Sequence, residues 1–242
     1  MTNYTQAPVL FLDFDGTVSS RDAVDLILER FADERWLDIE EEWRAGRIGS
    51  RECLSRQMAL VRAQPRELDA LLASIELDAG IGALLDACAR LDVPVGIVSD
   101  GFDYCIRRIL AGAHDARVAK LLRPVRVYSS HLAHAGGGCW RTEFHYFAKA
   151  CAHGCATCKP AVMELLSARS AATIFVGDGL SDVHAAHEAD IVFAKNGLAD
   201  FCRARGIWHT PFGNLAEVAA RLEDVVSELS LLPRDERERV SA

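Results

Sequence analysis

Short apolar runs, each followed at once by polar residues, recur along the chain. The first occupies residues 9–12, and two acids follow it at Asp13 and Asp15. Mainly apolar runs at 93–98 and 173–176 also end in polar residues. A short apolar run between turn residues is typical of a strand that is buried on both faces. The pattern therefore predicts several buried strands with polar side chains at their carboxyl ends.

Between these runs the apolar residues recur at helical spacing. Four apolar residues within 24–31 follow the i, i+3, i+4, i+7 pattern of one helix face. Only helical patterns occur over 20–78, whereas strands and helices alternate from residue 80 onward, with a β-like stretch at 125–147. Such alternation predicts a parallel sheet covered by helices on both faces.

We therefore predict an α/β protein in two parts. Residues 1–19 and 79–242 form a Rossmann-like core with a parallel sheet, and residues 20–78 form a small helical domain inserted after the first strand. The inserted helices are short, so they need each other as packing partners and predict a small bundle.

The polar strand ends predict one ligand crevice, because ligands of such sheets bind beyond the carboxyl ends of the strands. Asp13 and Asp15 follow the first strand, Ser99 the second and Asp178 a later one. Asp13 and Asp15 occupy alternate positions, so on an extended backbone their carboxylates point the same way. Two like charges need a nearby cation, and Mg²⁺ takes oxygen ligands of this kind.

This constellation fits phosphoryl transfer, which needs a nucleophile, a metal, phosphate donors and a proton carrier. A carboxylate beside Mg²⁺ can attack phosphorus, so Asp13 is the predicted nucleophile and Asp15 the general acid–base. The predicted phosphate contacts are Thr17, Ser99, Asp100, Gly101 and Lys159. The predicted metal site comprises Asp13, Asp15 and Asp178, supported by Asp182.

Each of these residues also has a plainer interpretation. The D-x-D-G-T stretch at 13–17 could be an Asx-type turn with solvated acids. Ser99 and Asp100 could cap the following helix, and so could Asp182. Lys159 could be a solvated surface lysine. The spacing of single motifs leaves these alternatives open, and the convergence of several strand ends favours the catalytic one.

Four motifs, in this order, resemble those of the haloacid dehalogenase-like hydrolases. They are L-D-F-D-G-T-V at 12–18, S-D-G at 99–101, K-P at 159–160 and G-D-G-L-S-D at 177–182. The resemblance implies a magnesium-dependent phosphatase that forms an aspartyl-phosphate at the first acid of the first motif. It also implies that 20–78 is the cap of the phosphoserine phosphatase-like branch.

The same resemblance implies a role for each motif residue. Asp13 is then the nucleophile and Asp15 the acid–base. Ser99 and Lys159 hold the phosphate. The metal is bound by Asp13, the Asp15 carbonyl and Asp178, and Asp182 supports its water shell.

Two further stretches bear on the substrate. The run H-G-C-A-T-C-K-P-A-V at 153–162 resembles the methionine-salvage phosphatases that act on 2-hydroxy-3-keto-5-methylthiopentenyl-1-phosphate. Phosphoserine phosphatases carry a cap acid nine residues after the nucleophile, and Asp22 stands there. They also carry a cap arginine for the substrate carboxylate, and Gln57 stands in the corresponding run. The missing arginine puts phosphoserine in doubt.

Composition excludes several classes of partner. The formal net charge is −8, which argues against nucleic acid or an anionic membrane. No export signal or membrane-length apolar run is evident, so we expect a cytoplasmic protein. The expected partner is a small phosphorylated metabolite, and the sequence carries no signal of oligomeric state.

A cysteine cluster poses a separate question. Cys139, Cys151, Cys155 and Cys158 are spaced C-x11-C-x3-C-x2-C. The C-x2-C end matches zinc-ligand spacing, and four thiolates would close a structural Zn²⁺ site. The rest of the spacing is irregular, so free thiols are the alternative to a zinc site.

The sequence thus predicts a Mg²⁺-dependent phosphomonoesterase, with the methionine-salvage phosphate as a candidate substrate. The alternative within the same branch is a phosphatase of phosphoserine or another small alcohol phosphate. A different class would be a catalytically silent binding or regulatory protein that keeps the fold, but no motif acid is lost. A zinc-dependent interaction module rests on the cysteines alone.

Overall fold

The computed structural model describes residues 7–148, 151–167 and 172–231. The strands of this part form one sheet in the order β4-β3-β2-β1-β5-β6-β7, with every neighbouring pair parallel except β3 and β4. The strands are β1 (Val9–Leu12), β2 (Val95–Phe102), β3 (Arg126–Gly136), β4 (Cys139–Glu143), β5 (Thr173–Gly177), β6 (Ile191–Ala194) and β7 (Thr210–Pro211). The predicted α/β fold with a Rossmann-like parallel sheet is confirmed.

Helices connect consecutive strands except β3 and β4, which form a hairpin. Those before β2 are α1 (Ala23–Phe31), α2 (Trp36–Arg44), α3 (Ser50–Met58), α4 (Pro65–Leu72) and α5 (Ile81–Arg90). The later ones are α6 (Asp103–Ala111), α7 (Ala116–Leu122), α8 (Lys159–Ser167), α9 (Val183–Glu188), α10 (Asn196–Arg205) and α11 (Leu215–Leu231). The first four follow β1, where the helical insertion is predicted. The division into a core and a cap at 20–78 stays a prediction.

The sheet is buried on both faces, and β1 shows why its sequence is continuously apolar. Leu10 and Leu12 pack in one hydrophobic cluster, and Val9 and Phe11 pack in another on the opposite face. Because successive side chains of a strand point to opposite faces, a strand covered on both sides must be apolar at every position. β1 lies between β2 and β5, so the acids that follow it stand at the middle of the sheet.

Local details differ from the predicted pattern. β2 runs through Ser99 to Phe102 instead of ending at residue 98, and its register with β3 shifts between Val98 and Phe102. The sequence pattern did not predict α7, whose seven residues are too few for a clear periodicity. No helix in the described ranges combines the length and the hydropathy that crossing a membrane requires.

Candidate active site

A cavity of about 610 Å³ opens at the carboxyl ends of β1, β2 and β5. Its wall contains most of the predicted site residues, together with side chains from α1, α2 and α3. A second cavity of about 700 Å³ lies beside the starts of β1 and β2, and its lining includes none of the predicted site residues. The convergence predicted from the strand ends therefore occurs in the first cavity.

Lys159 forms a buried ionic cluster with two acids. Its Nζ donates hydrogen bonds to Asp13 Oδ1 and Asp182 Oδ1, each at 2.5 Å. Burial alone lowers the pKa of Lys159, but Asp13 and Asp182 outweigh it and raise that pKa above its usual value. Lys159 is therefore a charged ammonium, because its desolvation is compensated by two carboxylates. It is 1% exposed, which rules out the alternative of a solvated surface lysine.

Asp13 lies in the same buried cluster, and its surroundings disfavour its ionised form. Burial and the neighbouring charge of Asp182 raise the pKa of Asp13 well above its usual value, although Lys159 opposes the shift. A carboxylate in this state is stabilised by any further cation that approaches it.

Three acids converge on a place that suits a metal ion. Carboxylate oxygens of Asp13, Asp178 and Asp182 all lie within 4.8 Å of one another. The second oxygen of Asp182 accepts the backbone N–H groups of Asp178 and Gly179 at 2.9 and 3.1 Å. With Oδ1 on Lys159, both oxygens of Asp182 already have partners. Hard oxygen ligands of this kind fit Mg²⁺.

Gly16 lets Asp178 come close to the end of β1. Its φ is +74°, and a Cβ at this position would lie 2.5 Å from Asp178 Oδ2. Thr17 Oγ1 donates to Asp178 Oδ1 at 3.3 Å, and Asn196 Nδ2 approaches Asp178 Oδ2 at 3.4 Å. Gly16 and Thr17 therefore allow Asp178 to lie against the end of β1.

Asp15 faces the cavity between the ionic cluster and α1. Its Oδ1 accepts the Ala23 N–H at 2.9 Å. Burial and the charge of Asp22 raise the pKa of Asp15 well above its usual value. A raised pKa favours the protonated carboxyl group, which is the form that a general acid must have.

The S-D-G stretch lines the cavity beside Asp15, and its polar groups have specific partners. Ser99 Oγ accepts the Gly101 N–H at 2.9 Å, which leaves the Ser99 hydroxyl proton free to donate. Asp100 Oδ1 accepts the Thr157 N–H at 3.1 Å. A Cβ at Gly101 would lie 2.6 Å from Asp15 Oδ2, so only glycine allows this approach. Through its hydrogen bond with Thr157, Asp100 holds the loop that precedes Lys159.

The two cap residues predicted to bear on the substrate both line the cavity. Asp22 caps α1 by accepting the N–H groups of Val24 and Asp25. Gln57 Nε2 donates to Glu40 Oε2 at 3.1 Å, and Arg44 Nε donates to Glu40 Oε1 at 2.8 Å. Glu40 therefore engages both Gln57 and Arg44.

Arg56 does not replace the missing arginine. It pairs with Glu42 through two hydrogen bonds of 2.7 and 2.9 Å and is absent from the cavity lining. A step of one residue rotates a helical side chain by about 100°, which separates Arg56 from its neighbour Gln57.

Some cavity residues were not identified from the sequence. They include Asp25, Glu40, Arg44, Ser50 and Asn196. Glu40 and Arg44 are four residues apart, a spacing that predicts an ion pair on one helix face. That signal marks a surface pair as readily as a cavity pair, so it could not locate them.

We expect Asp25→Asn to reduce the pH dependence of stability in metal-free protein. Burial, with the charges of Asp22 and Glu40, raises the pKa of Asp25 to about 7. The folded state therefore binds this proton more tightly than the unfolded state, and its contribution to stability is lost as pH rises from about 4 to about 7. Melting temperatures across this range should fall less steeply in the variant. The exposed Asp38→Asn serves as the control, and parallel curves for wild type and Asp25→Asn would contradict the assignment.

The predicted four-cysteine zinc site is not supported. Cys139 is the first residue of β4, directly after the turn of the β3–β4 hairpin, where the adjacent Gly138 accepts the N–H of Ala63. Cys151, Cys155 and Cys158 lie in the loop before α8. Among the residues described, the set of potential ligand atoms close enough for a metal is the acidic one. The hairpin turn belongs to a different part of the fold from the loop, so the spacing along the sequence did not bring the four thiols together.

The comparisons with known proteins agree with this geometry. The family model described as haloacid dehalogenase-like hydrolase matches residues 10–187. A 2-hydroxy-3-keto-5-methylthiopentenyl-1-phosphate phosphatase of Geobacillus kaustophilus is 28% identical, over 90% of this chain and 97% of the relative. A protein with the same description from Exiguobacterium sp. is 27% identical, over 88% and 96%.

Solved structures show the same fold. A phospho-aspartyl intermediate analogue of phosphoserine phosphatase matches with a TM-score of 0.68 and 18% identity, over 88% of this chain and 98% of the other. A substrate-bound phosphoserine phosphatase matches with a TM-score of 0.63 and 18% identity, over 81% and 90%. The family model covers well over half of the sequence, so the chain belongs to the haloacid dehalogenase-like hydrolases.

Proposed function

We propose that this chain hydrolyses the phosphate monoester of a small metabolite, with Asp13 as nucleophile and Mg²⁺ as cofactor. The observation that carries the proposal is the buried Asp13 carboxylate, held by Lys159 at 2.5 Å beside Asp178 and Asp15. An ion pair that only stabilised the fold would not need a cavity beside it. Here Asp13, Asp15 and Asp178 line a cavity, where a phosphate group can approach.

In the proposed reaction Asp13 attacks phosphorus, and the bond from phosphorus to the alcohol oxygen breaks. Asp15 gives its proton to the departing alkoxide, which leaves as the alcohol. Asp15 then takes a proton from water, and that water attacks the aspartyl-phosphate and releases inorganic phosphate. The raised pKa of Asp15 supports the first role, because it favours the protonated form that a general acid needs.

In this acidic site few groups can offset the negative charge of a bound phosphate. Lys159 supplies the buried ammonium, and Ser99 supplies a hydroxyl donor. Asp100 and Gly101 line the cavity with Ser99, and Thr17, which is buried and donates to Asp178, completes the proposed phosphate contacts. Mg²⁺, held by Asp13, Asp178 and the Asp15 carbonyl, would offset the negative charge that phosphate brings to these acids. Asp182 fits a supporting role, since both of its oxygens already have partners.

We propose the methionine-salvage phosphate named in the relatives as the substrate, since the cavity suits an uncharged leaving group. Trp43 and Leu54 supply apolar surface, and Gln57 supplies an amide. Arg44 donates through Nε to Glu40, whose negative charge offsets that of the arginine. Gln57 donates to the same carboxylate and has no charge with which to clamp a substrate carboxylate. Phosphoserine or another small alcohol phosphate remains the second candidate, supported by the position of Asp22 in the cavity wall.

A substrate panel with purified protein tests both parts of the proposal. We expect phosphate release from uncharged keto- or thio-sugar-like phosphates to exceed release from phosphoserine. Activity should disappear after exhaustive chelation and return with Mg²⁺, whereas Ca²⁺ should support it poorly because its larger, looser shell misplaces the attacking oxygen. A preference for phosphoserine would reassign the substrate. Absence of turnover on every ester tested would favour the silent binding protein, and full activity after chelation would contradict the metal site.

A further inference from the structure

Three cysteines occupy the loop of residues 151–158, directly before Lys159. The sulfur atoms of Cys151 and Cys155 lie 3.5 Å apart, and the Cys158 thiol also hydrogen-bonds the Cys151 sulfur. A disulfide has a sulfur separation of about 2.05 Å, so the first pair needs to close by only about 1.5 Å. Cys151 and Cys155 are both partly exposed, so an oxidant in solution can reach them.

The two thiols of the pair differ in acidity. Burial raises the pKa of Cys151, but hydrogen bonds from the Cys155 and His153 backbone and from two neighbouring thiols outweigh it, and the pKa falls below its usual value. Burial and the neighbouring Cys151 raise the pKa of Cys155 to about 12. Since the thiolate is the reactive form, Cys151 is the attacking thiol and Cys155 its partner.

The loop that carries this pair is tied to the active site on both sides. The Gly154 carbonyl accepts the Arg51 N–H at 3.0 Å, and the Ala156 N–H donates to Ser50 Oγ at 2.9 Å, so the loop holds the start of α3. The Thr157 N–H donates to Asp100 Oδ1 at 3.1 Å. A shift of Cys155 toward Cys151 pulls on the adjacent Ala156 and Thr157 contacts and, two residues later, on Lys159.

We propose that Cys151 and Cys155 are a thiol modification site, which a hydroperoxide oxidises to a disulfide that displaces Lys159 and lowers catalysis. The effect on catalysis rests on the proposed function, but formation of the disulfide does not. Cys158 is 7% exposed and precedes Lys159 directly, so it stays reduced.

The chemistry balances with one hydroperoxide per disulfide. The Cys151 thiolate attacks one peroxide oxygen and breaks the O–O bond, which releases an alcohol or water and leaves a sulfenic acid. The Cys155 sulfur then attacks the Cys151 sulfur, forms the S–S bond, and expels hydroxide that leaves as water. The two thiols give up two electrons and two protons, and the peroxide takes up both. A small thiol reverses the step by exchange.

Intact mass and thiol counts after hydrogen peroxide treatment test the modification without reference to activity. Wild type should lose two hydrogen atoms and two titratable thiols, and dithiothreitol should restore both. Cys151→Ser and Cys155→Ser should not show the loss of two hydrogen atoms. Cys139 is a partly exposed thiol outside the loop, so Cys139→Ser should behave as wild type. If Cys155→Ser lost the pair as fast as wild type, Cys158 would be the partner and the proposal would be wrong. It would also be wrong if wild type kept all its thiols.

The activity measurement tests the consequence on the same samples. A misplacement of about 1 Å at a catalytic group can cost about 100-fold in rate, so the oxidised wild type should lose about tenfold or more of its kcat. Both serine variants should keep their activity in peroxide. A disulfide that forms with unchanged kcat would overturn the link to Lys159. A protein that forms the disulfide but hydrolyses no ester even when reduced would contradict the proposed function and leave the modification site established.

Discussion

Asp13→Asn should abolish turnover without lowering the melting temperature. The amide cannot form an acyl-phosphate, so we expect kcat to fall by about 10⁵-fold or more, as for other covalent nucleophiles. The side chain keeps its shape, and in the wild type burial and Asp182 already disfavour the ionised form of Asp13. Replacement by a neutral amide therefore removes a buried charge whose desolvation destabilises the folded state. Steady-state kinetics and thermal unfolding in metal-free buffer measure the two effects.

The matched control is Asp38→Asn, which makes the same change on the exposed side of α2 and should leave both quantities as in wild type. A variant at position 13 that kept a tenth of the activity would remove Asp13 from the nucleophile role. A large drop in melting temperature would show instead that the pair with Lys159 holds the fold together.

Lys159→Met should impair both catalysis and folding, for one electrostatic reason. The methionine removes the ammonium that Asp13 and Asp182 share at 2.5 Å. Loss of a charged donor to the phosphate should lower kcat/KM by about 10³-fold or more. Removal of one partner from a buried ionic cluster should lower the free energy of unfolding by about 3–5 kcal/mol. Both losses follow from acids that are left in an apolar site without a cation.

The pH dependence of the Lys159→Met variant distinguishes this account from simple mispacking. Without the ammonium, the pKa of Asp13 should rise further, because the charge that opposed the shift is gone. A carboxyl whose pKa is raised by folding binds its proton more tightly in the folded state, so stability falls as pH rises. The variant should therefore regain stability on acidification from pH 8 to pH 5.5 more than wild type does. Lys120→Met on α7 controls for the loss of a lysine, and a stability deficit independent of pH would contradict the electrostatic explanation.

The sequence by itself determined the order of the elements and the identity of the catalytic motifs. Strands buried on both faces must be apolar at each position, as at 9–12, and that requirement can be recognised locally. Asp13, Ser99 and Asp178 were identified because each follows an apolar run of this kind, and parallel strands bring their carboxyl ends to one edge. These inferences need only the pattern along the chain and the topology of an α/β sheet.

Only the tertiary structure decided which side chains meet. Lys159 joins Asp13 and Asp182 across 146 and 23 residues of sequence, and no local pattern encodes that cluster. The same holds for Gln57, whose amide lies against Glu40.

The cysteines show that a ligand-like spacing in the sequence need not bring residues together in the fold. A zinc-like spacing placed Cys139 with the three loop thiols, but the folded chain places it at the start of β4, and the group of potential metal ligands found among the described residues does not include it. Spacing along a sequence constrains contacts only within one element. Contacts between elements depend on how the whole chain packs, and that packing was decided by burial of apolar surface at many distant positions together.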